Sequence, residues 1–523
     1  MLKSLSFSSE SSNWKRWFFG SLSFSLILHL FCSYFSVGYH AADEHFQILE
    51  FLNYKLGLTP QSVLPDEFHE QMRPWLQPAF YYGVVKVLKG FGVQSPFNWV
   101  WVFRMICSLV GWSSLVLMAL CSRYWFQGER AQRFFLAANG LLWFLPALHS
   151  RASSEGLGGS LFLIGLCLLS IHLEFSKSQG NSSRSFSVLT LIGALFGLSF
   201  ECRFQMALML VGTLGWVLVY KRLRWGQILS VFAGFFVIFA LGRWVDVWGY
   251  GSWSWSPWNY FSYNLIRGGA SQYGDSPWWD IFRMSLTESW PPLGFFLLIA
   301  MIVAWLRHPK HLLTWAHLPF FVVHELIGHK ELRFFLPLAS AAPALLTFCF
   351  YSEKSRAFFS LSSLPERLRS LMSWTGRFLI LDNCLALLVM SFSPASRTIL
   401  FFQGLDGEFK RRPDVKLIYT LGRDPYDLFG TPTFFYRPAG LEIRRIESGT
   451  AFESLLQSKH QPIYLVHHAF DLPPEFPALR SSCHPVYQSL PRWVEKFNFG
   501  VLGSSNGWLE RITIWGLFEC ERS

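Results

Sequence analysis

Two adjacent carboxylates, Asp43 and Glu44, follow the first long apolar run of the chain. A carboxylate at the edge of a membrane segment is costly unless it meets water, a cation or a substrate hydroxyl, so such a pair indicates a functional site. A carboxylate can also accept the proton of an attacking hydroxyl while a new bond forms. The alternative is a solvated acidic loop without chemistry. The two residues alone do not distinguish these interpretations.

A second ionisable group lies at 329–333, before another apolar run, and contains His329, Lys330 and Arg333. Lys and Arg close together at a helix entrance suit a phosphate or diphosphate, because both form charge-assisted hydrogen bonds and Arg adds a two-pronged fork. Basic residues that anchor a helix at the membrane interface are the alternative. That alternative does not account for Glu331, which stands between the two strong bases.

Other polar residues lie between later apolar runs. Pairs of opposite charge occur as Glu70 with Arg73, Arg151 with Glu155 and Glu201 with Arg203. Such isolated pairs are often structural, and a direct role in binding is the alternative. Aromatic residues are dense from 253 to 279. Their rings stack on the apolar faces of sugars, but Trp and Tyr also gather at membrane interfaces, and composition does not separate the two.

The composition identifies the class of protein. Hydrophobic residues make up 51% of the 523 residues and charged residues only 15%, which is too apolar for a soluble protein. The formal charge of +11 arises from short basic clusters between apolar runs. Such clusters act as topology signals and as partners for anionic lipid head groups, so nucleic-acid binding is not expected. The nine Cys lack C-x-x-C or Cys/His spacing, and no metal site is expected.

The apolar runs predict an all-α polytopic membrane protein with about eleven spans of roughly 20 residues each. The predicted spans are 20–38, 97–121, 134–148, 157–173, 186–200, 205–220, 226–243, 291–306, 311–328, 334–351 and 374–392. If the N-terminus is cytoplasmic, the connections on its side are much richer in Lys and Arg than the opposite ones, as the positive-inside rule requires. The acidic pair and the other polar clusters then share the exoplasmic face, where one active site is geometrically possible.

The composition changes after the last predicted span. Residues 393–523 contain more Pro and charged residues, with short strand-like patches at 416–419 and 462–466. They predict a small mixed α/β exoplasmic domain. The predicted organisation is a cytoplasmic tail at 1–19, a catalytic transmembrane domain at 20–392 and this domain at 393–523. Its only two cysteines, Cys483 and Cys520, predict a disulfide if the compartment is oxidising.

Five ordered motifs between about residues 40 and 340 resemble glycosyltransferase family 22, which holds the multi-spanning alpha-mannosyltransferases of glycosylphosphatidylinositol (GPI) and N-glycan assembly. Among its members the chain looks most like GPI mannosyltransferase III. The motifs are His40-x-x-Asp43-Glu44-x-Phe46-Gln47 with Glu50, Glu70-x-x-Arg73 with Pro78, Pro257-x-Asn259-Tyr260 with Asn264, Tyr273-Gly274-x-x-Pro277-Trp278, and His329-Lys330-Glu331-x-Arg333-Phe334 with Pro337.

The resemblance implies the GT-C fold and an inverting, metal-independent transfer of mannose without a cofactor. The implied donor is a polyprenyl- or dolichyl-phosphate-mannose, and the implied acceptor is a lipid-linked glycan, for which a GPI-type precursor is expected. The implied location is the endoplasmic reticulum membrane in a eukaryote or the inner membrane in a bacterium. The implied roles are Asp43 and Glu44 in catalysis, His329, Lys330, Arg333, Arg151 and Arg203 at the donor phosphate, and Glu70, Arg73, Trp258, Asn259, Tyr273 and Trp278 at sugar or acceptor.

Two other functions stay open at the level of sequence. A transporter or lipid flippase would have many spans and no covalent chemistry, but transporters usually show internal repeats and polar groups at mid-span. Here the polar clusters lie at the ends of the predicted spans. A GT-C transferase of a different sugar would share the fold and the base but would lack the His-Lys-Glu motif.

Overall fold

The computed structural model describes residues 12–179, 184–351, 365–446, 449–458, 462–474, 477–498 and 514–521. Residues 1–11 of the predicted cytoplasmic tail lie outside the described residues. The chain forms two compact units. The helical unit comprises Met1–Ser36, Pro65–Gly90 and Val100–Ser393, and the C-terminal unit comprises Val37–Leu64, Phe91–Trp99 and Pro394–Ser523. The segment with Asp43 and Glu44 therefore belongs to the C-terminal unit.

Helices dominate the described chain. In chain order the α-helices are α1 Ser12–Phe35, α2 Phe51–Lys55, α3 Asp66–His69, α4 Leu76–Gly90, α5 Pro96–Trp125, α6 Glu129–Leu141, α7 Leu145–His149, α8 Ser154–Gln179, α9 Arg184–Cys202, α10 Met206–Val219, α11 Trp225–Tyr250, α12 Ser256–Phe261, α13 Asp280–Thr287, α14 Leu293–Arg307, α15 Leu312–Leu326, α16 Leu336–Ala339, α17 Ala342–Tyr351, α18 Glu366–Phe392, α19 Arg397–Arg411, α20 Gly449–Ser458 and α21 Pro477–Ser482. The described chain also contains π-helices at Glu44–Glu50 and Ser262–Ile266. Its 3-10 helices are Gln61–Val63, Gly269–Tyr273, Leu332–Phe335 and Arg492–Phe497.

The helices make the chain a multi-pass membrane protein. By length and composition, six helical segments of the described residues could cross a membrane, and a pair bent by 71° would make a seventh. Other predicted spans are shorter or interrupted. The predicted span 134–148, for example, is divided between α6 and α7, because Leu142 is extended and Pro146 stands in the first turn of α7. The six segments are Asn13–Phe35, Pro96–Trp125, Ser154–Ser176, Ser185–Cys202, Trp225–Tyr250 and Arg369–Arg411, and the bent pair is Leu332–Ala339 with Ala342–Tyr351.

The predicted end of the span 226–243 is wrong, because α11 continues to Tyr250. Asp246, which the sequence places in the following connection, is a fully buried helix residue. Its carboxylate lies 2.8 Å from the guanidinium of Arg243, one turn earlier on the same helix. Opposite charges at this spacing neutralise each other, so the helix extends through two ionisable residues.

Glycine allows the close approach of α9 and α11 in the helical unit. A methyl group at Gly193 of α9 would collide with the carbonyl oxygen of Val231 on α11. A methyl group at Gly234 of α11 would collide with the carbonyl oxygen of Thr190 on α9. Membrane helices gain van der Waals contact rather than hydrophobic free energy when they associate, so small residues at the contact stabilise the pair.

The C-terminal unit contains the predicted mixed α/β fold. The strands are β1 Leu417–Leu421, β2 Asp427–Leu428, β3 Thr431–Pro432, β4 Glu442–Ile446, β5 Ile463–His467, β6 Cys483–Gln488 and β7 Gly516–Cys520. Five of them form a sheet in the order β4-β1-β5-β7-β6, and β2 pairs with β3. The pairs β1-β4 and β1-β5 are parallel, whereas β7 is antiparallel to β5 and β6. Phe452 of α20 is fully buried in one core with Leu465 and Phe518 of the sheet.

Backbone hydrogen bonds tie the start of the acidic segment to the start of α19, within the C-terminal unit. The carbonyl oxygen of Val37 accepts hydrogen bonds from the amides of Ala395 and Ser396, at 2.8 and 2.9 Å. The next residue, Gly38, has a φ of +96°, and a Cβ there would overlap Ser396. Glycine satisfies both requirements at once.

The predicted disulfide between Cys483 and Cys520 is confirmed. The two residues stand opposite each other in the antiparallel pair β6-β7, with their Cα atoms 4.0 Å apart. The bond joins residues 37 positions apart in the sequence and closes a loop that includes residues outside the described ranges.

Replacing both cysteines, Cys483→Ala with Cys520→Ala, should lower the free energy of unfolding of the C-terminal unit by roughly 3 to 4 kcal/mol, because the unfolded chain regains the entropy of the open loop. Thermal unfolding of the purified full-length protein with and without reductant measures this. Wild-type protein should lose stability in reductant, and the double variant should not respond. Alkylation of both thiols in denatured, unreduced wild-type protein would exclude the bond.

Candidate active site

The acidic pair lies at the start of a π-helix in the C-terminal unit. Asp43 directly precedes the π-helix Glu44–Glu50 and is partly exposed. Glu44 is 7% exposed, and its Oε1 accepts a hydrogen bond from the backbone amide of His40 at 3.2 Å. Burial, with a smaller contribution from the Glu44 carboxylate, raises the pKa of Tyr39 to about 12. π-Helical turns are frequent at functional sites.

Glu50, at the other end of the π-helix, is an acceptor for several donors of the same unit. Its Oε1 accepts hydrogen bonds from the backbone amides of Phe434 and Phe435, at 2.9 and 3.1 Å. His45 donates to the same oxygen at 3.0 Å, and the Thr59 hydroxyl donates to Oε2 at 2.5 Å. Burial opposes the charge, but these hydrogen bonds outweigh it and hold the pKa of Glu50 below its usual value. The π-helix is thus fastened to the loop after β3.

In the helical unit, Glu331 binds two of the three predicted phosphate ligands of the motif 329–333. Arg333 donates from Nε and Nη2 to the two Glu331 carboxylate oxygens, at 2.5 and 2.8 Å. Nε2 of His329 lies 3.0 Å from Glu331 Oε1. This arrangement explains the acid that stands between two bases in the sequence, since it holds His329 and Arg333 together at the loop before α16.

Lys330 has a different environment from its neighbours. It is 6% exposed, and its ammonium donates to the carbonyl oxygens of Ile327 at 2.7 Å and Ser276 at 3.1 Å. The Ser276 amide in turn donates to the carbonyl of Gly328 at 2.8 Å. These bonds join the loop that carries Trp278 to the loop that carries Lys330. The structure therefore brings two of the sequence motifs together.

The ring of Phe334 lies next to three of the predicted phosphate ligands. The guanidinium of Arg203 lies 5.8 Å from the centre of the Phe334 ring, and that of Arg333 lies 5.3 Å from it. The centre of the His329 ring is 5.7 Å away. Arg151 has another environment, since it is 2% exposed and donates to the carbonyl of Ser36. The guanidinium groups of Arg203 and Arg333 thus form a cationic cluster around an aromatic ring that the His329 ring also contacts.

None of the three charge pairs that the sequence suggested forms between the described side chains. Arg203 pairs with Glu155 at 2.9 Å, so neither Arg151 with Glu155 nor Glu201 with Arg203 forms a pair. Glu201 instead accepts two hydrogen bonds from Arg243, at 3.0 and 2.7 Å. Side chains two residues apart do not face each other on a helix, so Glu201 points toward α11 instead of toward Arg203.

Sequence reasoning did not assign Arg243 and Asp246 to the site. Arg243 lies between the carboxylates of Glu201 and Asp246, and all three side chains are buried. Asp246 also accepts the backbone amide of Trp75 at 2.8 Å, and Ser256 donates to it. The signal in the sequence was the spacing of Arg243 and Asp246 inside an apolar run. The network thus holds Trp75, which follows the acceptor candidates Glu70 and Arg73 in the sequence. It also holds Ser256, which precedes Trp258 and Asn259.

The predicted acceptor-binding residues lie on loops of the helical unit. Glu70 pairs with Arg267 at 2.6 Å, and Arg73 pairs with Glu67 at 3.4 Å. The Arg73 guanidinium also lies 5.4 Å from the centre of the Tyr260 ring. Glu70 and Arg73 therefore have separate partners.

The other acceptor candidates lie nearby in the sequence. Asn259 donates to the carbonyl of Gln71 at 3.3 Å. Trp258 and Trp278 are 59% and 68% exposed, so their rings are accessible for stacking. Tyr273 ends the 3-10 helix Gly269–Tyr273. The Tyr260 hydroxyl accepts from Gln205, which links this group to the turn that carries Arg203.

Within the described ranges, no group of three or more His, Cys, Asp or Glu side chains is placed to hold a metal ion.

Comparison with known proteins assigns the family. The model of the Alg9-like mannosyltransferase family matches residues 21–413, which is most of the chain and includes every candidate site residue. The chain belongs to the Alg9-like mannosyltransferase family. This confirms the family indicated by the sequence motifs.

Curated relatives of this Alg9-like protein include mannosyltransferases of two kinds. A probable Dol-P-Man:Man(7)GlcNAc(2)-PP-Dol alpha-1,6-mannosyltransferase of Schizosaccharomyces pombe is 28% identical over 38% of this chain and 39% of its own length. GPI alpha-1,2-mannosyltransferase 3 of Bos taurus is 24% identical over 59% of this chain and 54% of its own length. The chain thus spans about half the length of the curated relatives it matches.

A solved structure confirms the predicted fold of the Alg9-like chain. ArnT from Cupriavidus metallidurans in the apo state matches with a TM-score of 0.50 and 13% identity, over 97% of this chain and 98% of that chain. At this identity the likeness establishes the GT-C fold alone.

The hydrogen bonds of Glu50 predict an acid-sensitive C-terminal unit. Because the folded pKa of Glu50 is depressed, its contribution to stability is fully present above the unfolded value of about 4.3 and is lost as the pH falls through the folded pKa. Glu50→Gln should lower the thermal midpoint at pH 7 and flatten its dependence on pH below about 5. Glu442→Gln, at an exposed glutamate of the same unit, is the control and should behave like the wild type. Equal acid sensitivity of Glu50→Gln and wild type would contradict this role.

Proposed function

We propose that this chain is an inverting alpha-mannosyltransferase that moves mannose from a dolichyl- or polyprenyl-phosphate-mannose to a lipid-linked glycan. The observation that carries the proposal is the buried Lys330 ammonium, bound by carbonyl oxygens next to a cationic cluster in a member of the Alg9-like family. The acceptor in this proposal is a GPI-type precursor. The longer alignment with the bovine GPI mannosyltransferase supports this choice over an N-glycan precursor.

Lys330 is suited to bind the donor phosphate. A buried cation is costly unless an anion neutralises it. Among the described residues, no carboxylate forms an ion pair with the Lys330 ammonium, and Asp280 and Glu325 interact with it only over a longer distance. Arg203 and Arg333 each have a directly paired carboxylate. A phosphate would add a negative charge in direct contact with the ammonium. The guanidinium groups of Arg333 and Arg203, together with the His329 ring, would add hydrogen-bond donors around it and would favour the charge that develops on the leaving phosphate.

Asp43 is suited to act as the general base. It is partly exposed, whereas Glu44 is buried and bonded to the His40 amide, so Asp43 is the more accessible carboxylate of the pair. In the proposed reaction the acceptor hydroxyl attacks the anomeric carbon while Asp43 takes its proton. The bond between that carbon and the phosphate oxygen breaks, and the lipid phosphate leaves with the electron pair. One displacement at one carbon inverts its configuration.

The proposed location follows from the same chemistry and from the distribution of charges. The basic connections of the chain face the cytoplasm, and the loops with the candidate residues face the exoplasmic side. In a eukaryote this would be the lumen of the endoplasmic reticulum, and in a bacterium the outer side of the inner membrane. A disulfide in the C-terminal unit is consistent with either compartment.

Asp43→Asn should reduce kcat about 100-fold to 10,000-fold, because the amide keeps the size of the carboxylate but does not accept the proton. Purified protein is assayed for transfer of radiolabelled mannose from dolichyl-phosphate-mannose to a mannosylated GPI precursor. Asp471→Asn, at an exposed carboxylate of the same unit, is the control and should keep full activity. A folded Asp43→Asn protein with wild-type activity would remove Asp43 from the mechanism and leave Glu44 as the candidate base. Wild-type protein without any transfer would contradict the proposed reaction itself.

Lys330→Ala should raise the KM for the donor by about tenfold or more, which corresponds to about 1.4 kcal/mol of lost binding. Its effect on donor KM should exceed that of Asp43→Asn. Lys410→Ala, at a lysine whose side chain is 62% exposed, is the matched control. Lys330→Arg should recover part of the affinity, because it keeps the positive charge. An unchanged donor KM in folded Lys330→Ala protein would exclude Lys330 as a phosphate ligand.

A further inference from the structure

We infer that the loop after β3 in the C-terminal unit positions the acidic segment for catalysis, and that Tyr436 is a positioning residue for Asp43. The inference rests on the proposed function of Asp43 as the base. It gives the C-terminal unit a role in turnover. The contacts that carry it all lie within the C-terminal unit.

The first contact is made by the backbone of this loop. The consecutive amides of Phe434 and Phe435 both donate to one oxygen of Glu50. Two donors from adjacent residues fix the direction of the carboxylate as well as its distance. Glu50 is 2% exposed, so water does not readily replace these donors. The end of the π-helix is therefore held in one place relative to the loop.

The second contact is made by the ring of Tyr436. Its centre lies 5.7 Å from that of His45, and the two planes are inclined by 21°. Tyr436 also stacks on Phe97, with centres 4.8 Å apart and planes inclined by 24°. His45 is fully buried and is hydrogen-bonded to Glu50, so the ring contact and the carboxylate contact support each other. His45 stands two residues after Asp43.

These two contacts fix the position of the segment that begins with Asp43. The π-helix Glu44–Glu50 connects them to Asp43 through continuous helical backbone, so a shift of His45 or Glu50 is transmitted to the carboxylate. A general base must lie within hydrogen-bond distance of the proton it takes. A displacement of about 1 Å at such a group reduces the rate by up to about 100-fold. Tyr436 would thus affect kcat without touching the substrate.

The test compares Tyr436→Ala with a matched aromatic of the same unit. Tyr426 is also buried and stacks on Phe402 at 4.3 Å, but its contacts among the described residues do not include the acidic segment. Tyr426→Ala therefore reports the general cost of losing a buried ring. Tyr436→Phe keeps the stacking and reports whether the ring alone suffices. Each full-length variant is assayed for mannose transfer, thermal midpoint and hydrogen exchange of peptides covering 40–50.

Tyr436→Ala should lower kcat about 10-fold to 100-fold with the donor KM changed less than about twofold. It should also speed hydrogen exchange in peptides covering 40–50. Tyr436→Phe should restore both quantities. Tyr426→Ala should lower the thermal midpoint by a similar amount but leave kcat and the exchange of 40–50 near the wild-type values.

Two results would overturn the inference. One is wild-type kcat and wild-type exchange of 40–50 in folded Tyr436→Ala protein. The other is an equal loss of kcat in Tyr426→Ala, which would show that any damage to the unit has the same effect. Failure of the proposed function is a different outcome, because wild-type protein would then transfer no mannose. The exchange measurement still decides whether Tyr436 orders the acidic segment in that case.

Discussion

The helical unit depends on the pairing of charges that the apolar interior would otherwise exclude. Arg243 lies between Glu201 and Asp246, and it joins α9 to α11 through buried ion pairs. Asp246 also accepts a hydrogen bond from the backbone amide of Trp75. The loop before α4 is therefore held by the same group of charges. Removing one member would leave an uncompensated buried charge, a change that typically costs about 3 to 5 kcal/mol. The packing of α9 against α11 and the course of the loop at Trp75 therefore depend on the same three side chains.

The same principle separates Lys330 from the other cations of the helical unit. Arg203 has Glu155 and Arg333 has Glu331, so both are neutralised within the protein. Lys330 is held directly by two carbonyl oxygens, and the carboxylates of Asp280 and Glu325 interact with its charge only over a longer distance. In the proposed function, the donor phosphate binds this ammonium directly. The carboxylates of Glu155 and Glu331 hold the two arginines in fixed positions.

In the C-terminal unit the corresponding constraint is the buried carboxylate of Glu50. It accepts hydrogen bonds from the backbone amides of Phe434 and Phe435, in the loop after β3. It also accepts hydrogen bonds from the hydroxyl of Thr59 and the imidazole of His45. Glu50 thereby helps to join a short α/β domain to a π-helix that is far from it in sequence. Glu50 therefore holds the helical segment that directly follows Asp43.

The class, the family and the main elements of this protein follow from the order of its residues. Long apolar runs require membrane helices, and the ordered motifs of reactive residues are specific enough to indicate the glycosyltransferase family. The strand-like patches at 416–419 and 462–466 lie within or beside β1 and β5, and the two C-terminal cysteines form the predicted bond. These features depend on local composition and spacing, which the chain carries along its length.

Which charges meet depends instead on the folded chain. Glu155 and Arg203, or Glu201 and Arg243, are more than forty residues apart, and the nearer candidates in the sequence point in other directions. The end of α11 was misplaced for the same reason, because Asp246 becomes compatible with a buried helix only when Arg243 and Ser256 are beside it. The membership of the acidic segment in the C-terminal unit likewise depends on Glu50 reaching Phe434, across nearly four hundred residues. Hydrogen bonds and ion pairs require distance and direction in space, and the order of residues specifies neither until the chain is folded.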